Sequence, residues 1–172
     1  MKKVFQTIID AGKGNCMQAA IASLFDKELN EVPNFISLEN WLESICDFAV
    51  ANGYDNTGML YNRKMSILNS PTSDSFKNHN WCEEMMLNKE NLKLYGDVNG
   101  FFYATVLSPK FFNWCDGFHK RHAVIIDFDM NIVHDPNPEY QSILRYPLSD
   151  VIDCNGIVDV MLFDKIKTKL NL

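Results

Sequence analysis

No apolar run in the 172-residue chain approaches the roughly 20 residues of a membrane span, which excludes a transmembrane helix. The opening segment Met1-Lys2-Lys3-Val4-Phe5-Gln6-Thr7 begins with basic residues but lacks the roughly 7 to 15 apolar residues that a secretory signal requires. There is no CxxC pair. The five cysteines, at 16, 46, 82, 115 and 154, are odd in number and widely separated, so a disulfide framework is not expected and a reducing, cytoplasmic setting is. Nor is there a basic stripe: the formal charge is −6 with both signs interspersed, which argues against a nucleic-acid groove, and the short Lys120-Arg121 cluster with Lys110 nearby reads as a solvated loop edge. Internal repeats and interdomain linkers are also missing, so residues 1–172 read as a single domain. With 47% hydrophobic residues, that domain is long enough to bury roughly two thirds of its unfolded surface.

What is present begins at Gly14-Asn15-Cys16-Met17-Gln18-Ala19-Ala20, a cysteine at the mouth of an apolar helix directly after a glycine-containing loop. A helix N-terminus offers unpaired backbone N–H groups and about half a positive charge, which favour thiolate over thiol and can also hold an oxyanion. The bland alternative for Cys16 is a small buried hydrophobe. This first helix runs from about Cys16 to Phe25, and its alanines at 19, 20 and 22 allow close approach to whatever it packs against. A second helix is predicted from about Leu38 to Asn52, capped by Ser37 and stopped by Gly53. Tyr54 to Asn80 reads as loops with one short element around Met59 to Leu68, and a third helix spans Trp81 to Tyr95, with a possible break near Asn88.

After Gly100 the residues become β-branched and aromatic, and Phe101 to Leu107, Arg121 to Phe128, Asn131 to His134 and Ile157 to Phe163 read as strands. Helices first and sheet second predict an α+β domain with an antiparallel sheet. Arg121 to Pro136 forms a hairpin in this reading. A two-residue loop at Phe128-Asp129 sets His122 opposite Asp135, with Cβ atoms roughly 5 Å apart. An unbulged three-residue loop would put His134 there instead. A carboxylate beside an imidazole fixes its tautomer and stabilises its cation. Cys16, His122 and Asp135 therefore make a candidate nucleophile, base and orienting group, against the plainer reading of a sheet histidine and a strand-ending Asp-Pro.

With these residues in hand, the chain resembles the papain-like cysteine peptidase superfamily, particularly the bacteriocin-processing peptidase domains of bacterial ABC transporters. Gln6, Asn15-Cys16, His122-Ala123-Val124-Ile125 and His134-Asp135-Pro136 follow that group's order, while about 95 residues between Phe25 and Arg121 are unmatched. It is also similar to small papain-like proteins of bacteria and their phages, which would place it in a host cytoplasm if phage-encoded. The resemblance implies a papain-like fold, no cofactor, and cleavage of a peptide, isopeptide or other amide bond in a peptide or protein substrate. It also implies an oxyanion hole made by the Cys16 N–H and the Gln6 amide, each such donor typically worth about 3 to 4 kcal/mol of barrier. Gln6 lies ten residues before Cys16, a longer spacing than the relatives show, so the stretch around Gly12-Lys13-Gly14 must be an inserted loop. Gln18 is a poor substitute, because two helical positions rotate it by about 200°.

Two other readings compete. Cys115, His119, His122 and His134 could supply zinc ligands, although their spacing matches no strong zinc pattern and would leave Cys16 without its base; no metal is expected. A papain-like shape without activity, binding a partner protein, is the second. Phe112 and Trp114, in the aromatic segment before the histidine strand, are candidates for a substrate subsite wall.

Overall fold

The structure is a computed structural model, and it describes residues 1–68, 82–113, 118–141, 146–149 and 154–167. The helices are α1 (Cys16–Leu24), α2 (Trp41–Ala51), α3 (Arg63–Leu68) and α4 (Lys89–Leu94), and the strands are β1 (Tyr54–Tyr61), β2 (Phe102–Asn113), β3 (Phe118–Ile126), β4 (Ile132–His134) and β5 (Ile157–Lys165). These five strands form one antiparallel sheet in the order β1-β5-β2-β3-β4. The domain is α+β, as the sequence predicts.

Both faces of this sheet are covered. Tyr103, Ala123, Ile125, Met161 and Phe163 join the core with Ala19, Ala20, Ile21 and Leu24 of α1 and Ile45 and Ala49 of α2. Phe102, Ala104, Val124, Ile126, Val160 and Leu162 alternate with them and enter a second core with Leu60, Leu92 and Tyr146. Burial on two sides explains why β3 and β5 read as continuous apolar runs rather than alternating ones. The small alanines of α1 let it lie directly against β3 and β2.

Several expected boundaries differ. The second helix begins at Trp41 rather than Leu38, because Phe35–Ser37 forms a separate 3-10 turn and the Ser37 hydroxyl donates back to the Asn34 carbonyl instead of capping α2. The third predicted helix is split: Glu83–Met85 is a 3-10 turn, and α4 starts after Asn88, whose side chain accepts from the Asn91 N–H as an N-cap. Trp81, where that helix was expected to begin, lies outside the described residues. β1 is a strand where loops were expected. Its pattern is disguised by a bulge between Asn56 and Gly58, where Gly58 has φ +140° and the Asn56 side chain accepts its N–H.

The N-terminal segment ties the two ends of the candidate site together. The Val4 N–H donates to Ser23 Oγ on α1, His134 Nε2 donates to the Val4 carbonyl, and the Gln6 N–H donates to the Pro136 carbonyl.

Candidate active site

Cys16 is the first residue of α1. Asn15 precedes it without capping the helix, because its side chain is turned the other way: Oδ1 accepts from the Thr7 and Ile8 N–H groups, and Nδ2 donates to Thr7 Oγ1 and Gln18 Oε1. No acidic residue stands in the first turn. The positive end of the helix is therefore left to the thiol.

The same asparagine closes the loop between Gln6 and Cys16. Within that loop Asp10 Oδ1 accepts from the Gly12 and Lys13 N–H groups, and the Gly14 N–H donates to the Asp10 carbonyl. A Cβ on Gly14 would sit 2.5 Å from that carbonyl oxygen, so only glycine allows the chain to return this tightly. The ten-residue spacing is absorbed in this turn, and Gln6 and Cys16 line one small cavity of about 60 Å³ together with His122 and Tyr140. Gln6 is buried; its Nε2 donates to the Ile8 carbonyl at 3.3 Å and its Oε1 has no partner among the described residues. Gln18 instead spans the Leu29 and Val32 carbonyls, away from the thiol.

The hairpin reaches its expected outcome by a different route. The loop has three residues, Phe128-Asp129-Met130, with the Asp127 N–H donating to the Asn131 carbonyl and Met130 at φ +63°. The Asp127 carboxylate holds this turn by accepting from the Asp129 and Asn131 N–H groups. A three-residue loop alone would bring His134 to the face of His122. The ladder, however, pairs Ile126 with Ile132 and Ile125 with His134, so Val133 is bulged and the parity reverses. Continued past His134, this register would set Asn137 opposite His122, and Asp135 arrives from the diagonal position.

His122 Nε2 and Asp135 Oδ1 are 2.7 Å apart, both residues buried. The other ring nitrogen, Nδ1, is left for the Cys16 thiol, which lines the same two cavities as His122. Burial pushes the thiol pKa up, but the His122 hydrogen bond and charge, with the Ala123 and Met17 N–H groups, together bring it below the ordinary thiol value. Burial likewise disfavours the imidazolium, yet Asp135 and Cys16 outweigh it and raise the His122 pKa to about 9. Both groups move toward their charged forms.

Asp135 has further partners that the sequence did not reveal. Oδ1 also accepts the Asn137 N–H at 2.7 Å, and Oδ2 accepts the Tyr146 hydroxyl. Tyr140 meets the His122 ring edge-on, with centroids 5.3 Å apart. No periodicity links Tyr140 or Tyr146 to the motif.

On the other side of Cys16 lies a cavity of about 240 Å³, walled by Met17, Trp41, Tyr103 and Met161. Arg121 and Asp159 also line it. Arg121 is not a solvated loop edge: its guanidinium pairs with the fully buried Asp159 carboxylate, which also accepts from Thr105 Oγ1 at 2.7 Å. Lys110 pairs with Glu139 at the surface.

Of the proposed subsite residues, Trp114 lies outside the described residues, and for Phe112 only the backbone is described, paired with His119 in the sheet. The neighbouring Phe111 does line the smaller cavity. For the zinc set, Cys115 and the His119 side chain also lie outside what is described, while His122 is engaged by Asp135 and His134 by Val4. Among the described residues no group of three or more His, Cys, Asp or Glu side chains is arranged to hold a metal ion, and no helix is long and apolar enough to cross a membrane. Comparison with family models, with curated proteins and with solved structures gives no match to this chain.

Proposed function

We propose that the protein is a thiol-dependent hydrolase of papain-like type, acting on a peptide, isopeptide or other amide bond. One observation carries this reading: a half-buried thiol and a buried imidazole lining the same two cavities, both shifted toward their charged forms although desolvation opposes each. Structural cysteines in apolar surroundings shift the other way.

In this mechanism the Cys16 thiolate attacks the substrate carbonyl carbon, and the carbonyl π electrons move onto oxygen. The Cys16 N–H and the Gln6 amide stabilise that oxyanion; Gln6 lines the cavity beside the thiol, and only one of its amide hydrogens is occupied by the Ile8 carbonyl. Collapse expels the amine, which takes its proton from His122 Nδ1 and leaves a thioester on Cys16. Neutral His122 then removes a proton from water as the water attacks the thioester. The second collapse releases the acid, and His122 holds the proton as imidazolium beside the regenerated thiolate. Asp135 keeps Nε2 protonated throughout.

Two cavities, of about 60 and 240 Å³, both reach Cys16 and His122 and offer room for substrate groups next to the scissile bond. The direct test uses p-nitrophenyl acetate, which needs no knowledge of the natural substrate. A burst of about one nitrophenolate per chain with acetyl mapped to Cys16, absent in Cys16→Ala, is expected. Acetylation spread over the other cysteines, with no burst, would refute the proposal.

A further inference from the structure

Asp135 does not stand alone behind His122. Its two oxygens have different occupants: Oδ1 is shared by His122 Nε2 and the Asn137 N–H, each at 2.7 Å, and Oδ2 takes the hydroxyl of Tyr146. Asp135 and Tyr146 are 6% and 8% exposed, so water cannot readily replace the phenol. Tyr146 is itself packed into the second core, which fixes its ring.

We propose that Tyr146 is a positioning residue of the site, acting through Asp135 to hold the carboxylate turned toward His122; this rests on the hydrolase reading above. The argument is one of satisfied valence. A buried carboxylate needs donors on both oxygens, and an unpaired oxygen costs about 1 to 3 kcal/mol or more. Without the phenol, Oδ2 has no donor among the described residues, and the carboxylate is driven to rotate away from Nε2. That rotation weakens the imidazolium, and with it the thiolate.

The donor role is permanent. Burial and the adjoining Asp135 charge push the Tyr146 pKa far above the ordinary phenol value, so the hydroxyl keeps its proton across the working range. The titratable groups around this carboxylate are His122, Tyr146, Tyr140 beside them, and His134 next in the chain, with Cys16 beyond the imidazole. Asp135 helps shift His122 toward its charged form, and His122 in turn shifts Cys16 toward its own.

Tyr146→Phe keeps the ring and removes only the donor, so the core stays filled. The measurement is the pH dependence of Cys16 alkylation by iodoacetamide, followed by mass spectrometry on the full chain, for wild type, Tyr146→Phe, Asp135→Asn and the double variant. The expected result is a midpoint about one pH unit higher in Tyr146→Phe, with the plateau rate above pH about 9 unchanged. The double variant should match Asp135→Asn alone, because the phenol acts only through the carboxylate. A merely structural tyrosine would leave the midpoint in place, or add its own shift to that of Asp135→Asn; either result overturns the proposal. Should Tyr146→Phe not fold, the same titration on Tyr146→Trp, whose indole N–H is also a donor, replaces it: a raised midpoint in that folded variant overturns the proposal, and a wild-type midpoint supports it. Failure of the hydrolase reading looks different, since wild-type Cys16 would then titrate as an ordinary thiol.

Discussion

Two buried histidines sit on the two strands of one hairpin, His122 on β3 at 5% exposure and His134 at the end of β4 at 2%. Their chemistry differs because their partners do. His122 has a carboxylate on one nitrogen and a thiol on the other, and its pKa rises to about 9. His134 donates Nε2 to the Val4 carbonyl at 2.9 Å, has no partner for Nδ1 among the described residues, packs edge-on to Phe5, and is shifted downward by burial. Equal burial thus makes one imidazole a cation and keeps the other neutral. The site is defined by what the ring touches.

The largest effect expected from breaking this contrast comes from His122→Ala. Without the imidazole only the Ala123 and Met17 N–H groups still oppose desolvation of the thiolate, so the rate of Cys16 alkylation at pH 6 should fall about 100-fold, the thiolate fraction of a thiol with pKa near 8.5 being well under 1% there. An undiminished rate would mean that His122 does not activate Cys16. His134→Ala sharpens the same comparison from the other side. It strands the Val4 carbonyl and should cost about 1 to 3 kcal/mol in urea unfolding, while the Cys16 alkylation midpoint stays where it is. A shifted midpoint would make His134 part of the site.

Stability against pH gives the smallest and most specific signal. A His122 pKa raised from 6.5 to about 9 contributes stability that is present below pH 6.5 and lost as pH rises toward 9. The lowered Cys16 pKa contributes with the opposite sign, gained as pH rises from its lowered value toward 9.0, so the two contributions oppose each other in the wild-type protein. Cys16→Ala removes the second contribution and also the part of the His122 shift that Cys16 supplies; what Asp135 still holds should make its unfolding free energy decline from pH 6.5 upward more steeply than that of wild type, by less than about 1.4 kcal/mol per pH unit. A profile parallel to that of wild type would show that the thiol and the imidazole do not share a proton.

The candidate site was largely legible because its parts are tied to local rules: a cysteine at a helix start, and a histidine and an aspartate of equal parity on neighbouring strands. The parity of Asp135 was right although the loop length was not, since the Val133 bulge cancels the third loop residue. Residues joined only by tertiary packing were hidden. Arg121 and its partner Asp159 are 38 positions apart, and Tyr146 lies beyond the motif with no repeat to point at it. β1 was lost to the Asn56-Thr57-Gly58 bulge, which carries turn-forming residues inside a strand. The α+β class was carried by the dense apolar strands of the second half.

The central claim is that Cys16 is a thiolate paired with His122 near neutral pH. Iodoacetamide labelling of the wild-type protein between about pH 5 and 10, with all five cysteines quantified by mass spectrometry, tests it most directly. The account predicts selective labelling of Cys16 at pH about 6 with a midpoint well below the ordinary thiol range; slow, uniform labelling of all five with midpoints near pH 8.5 would contradict it.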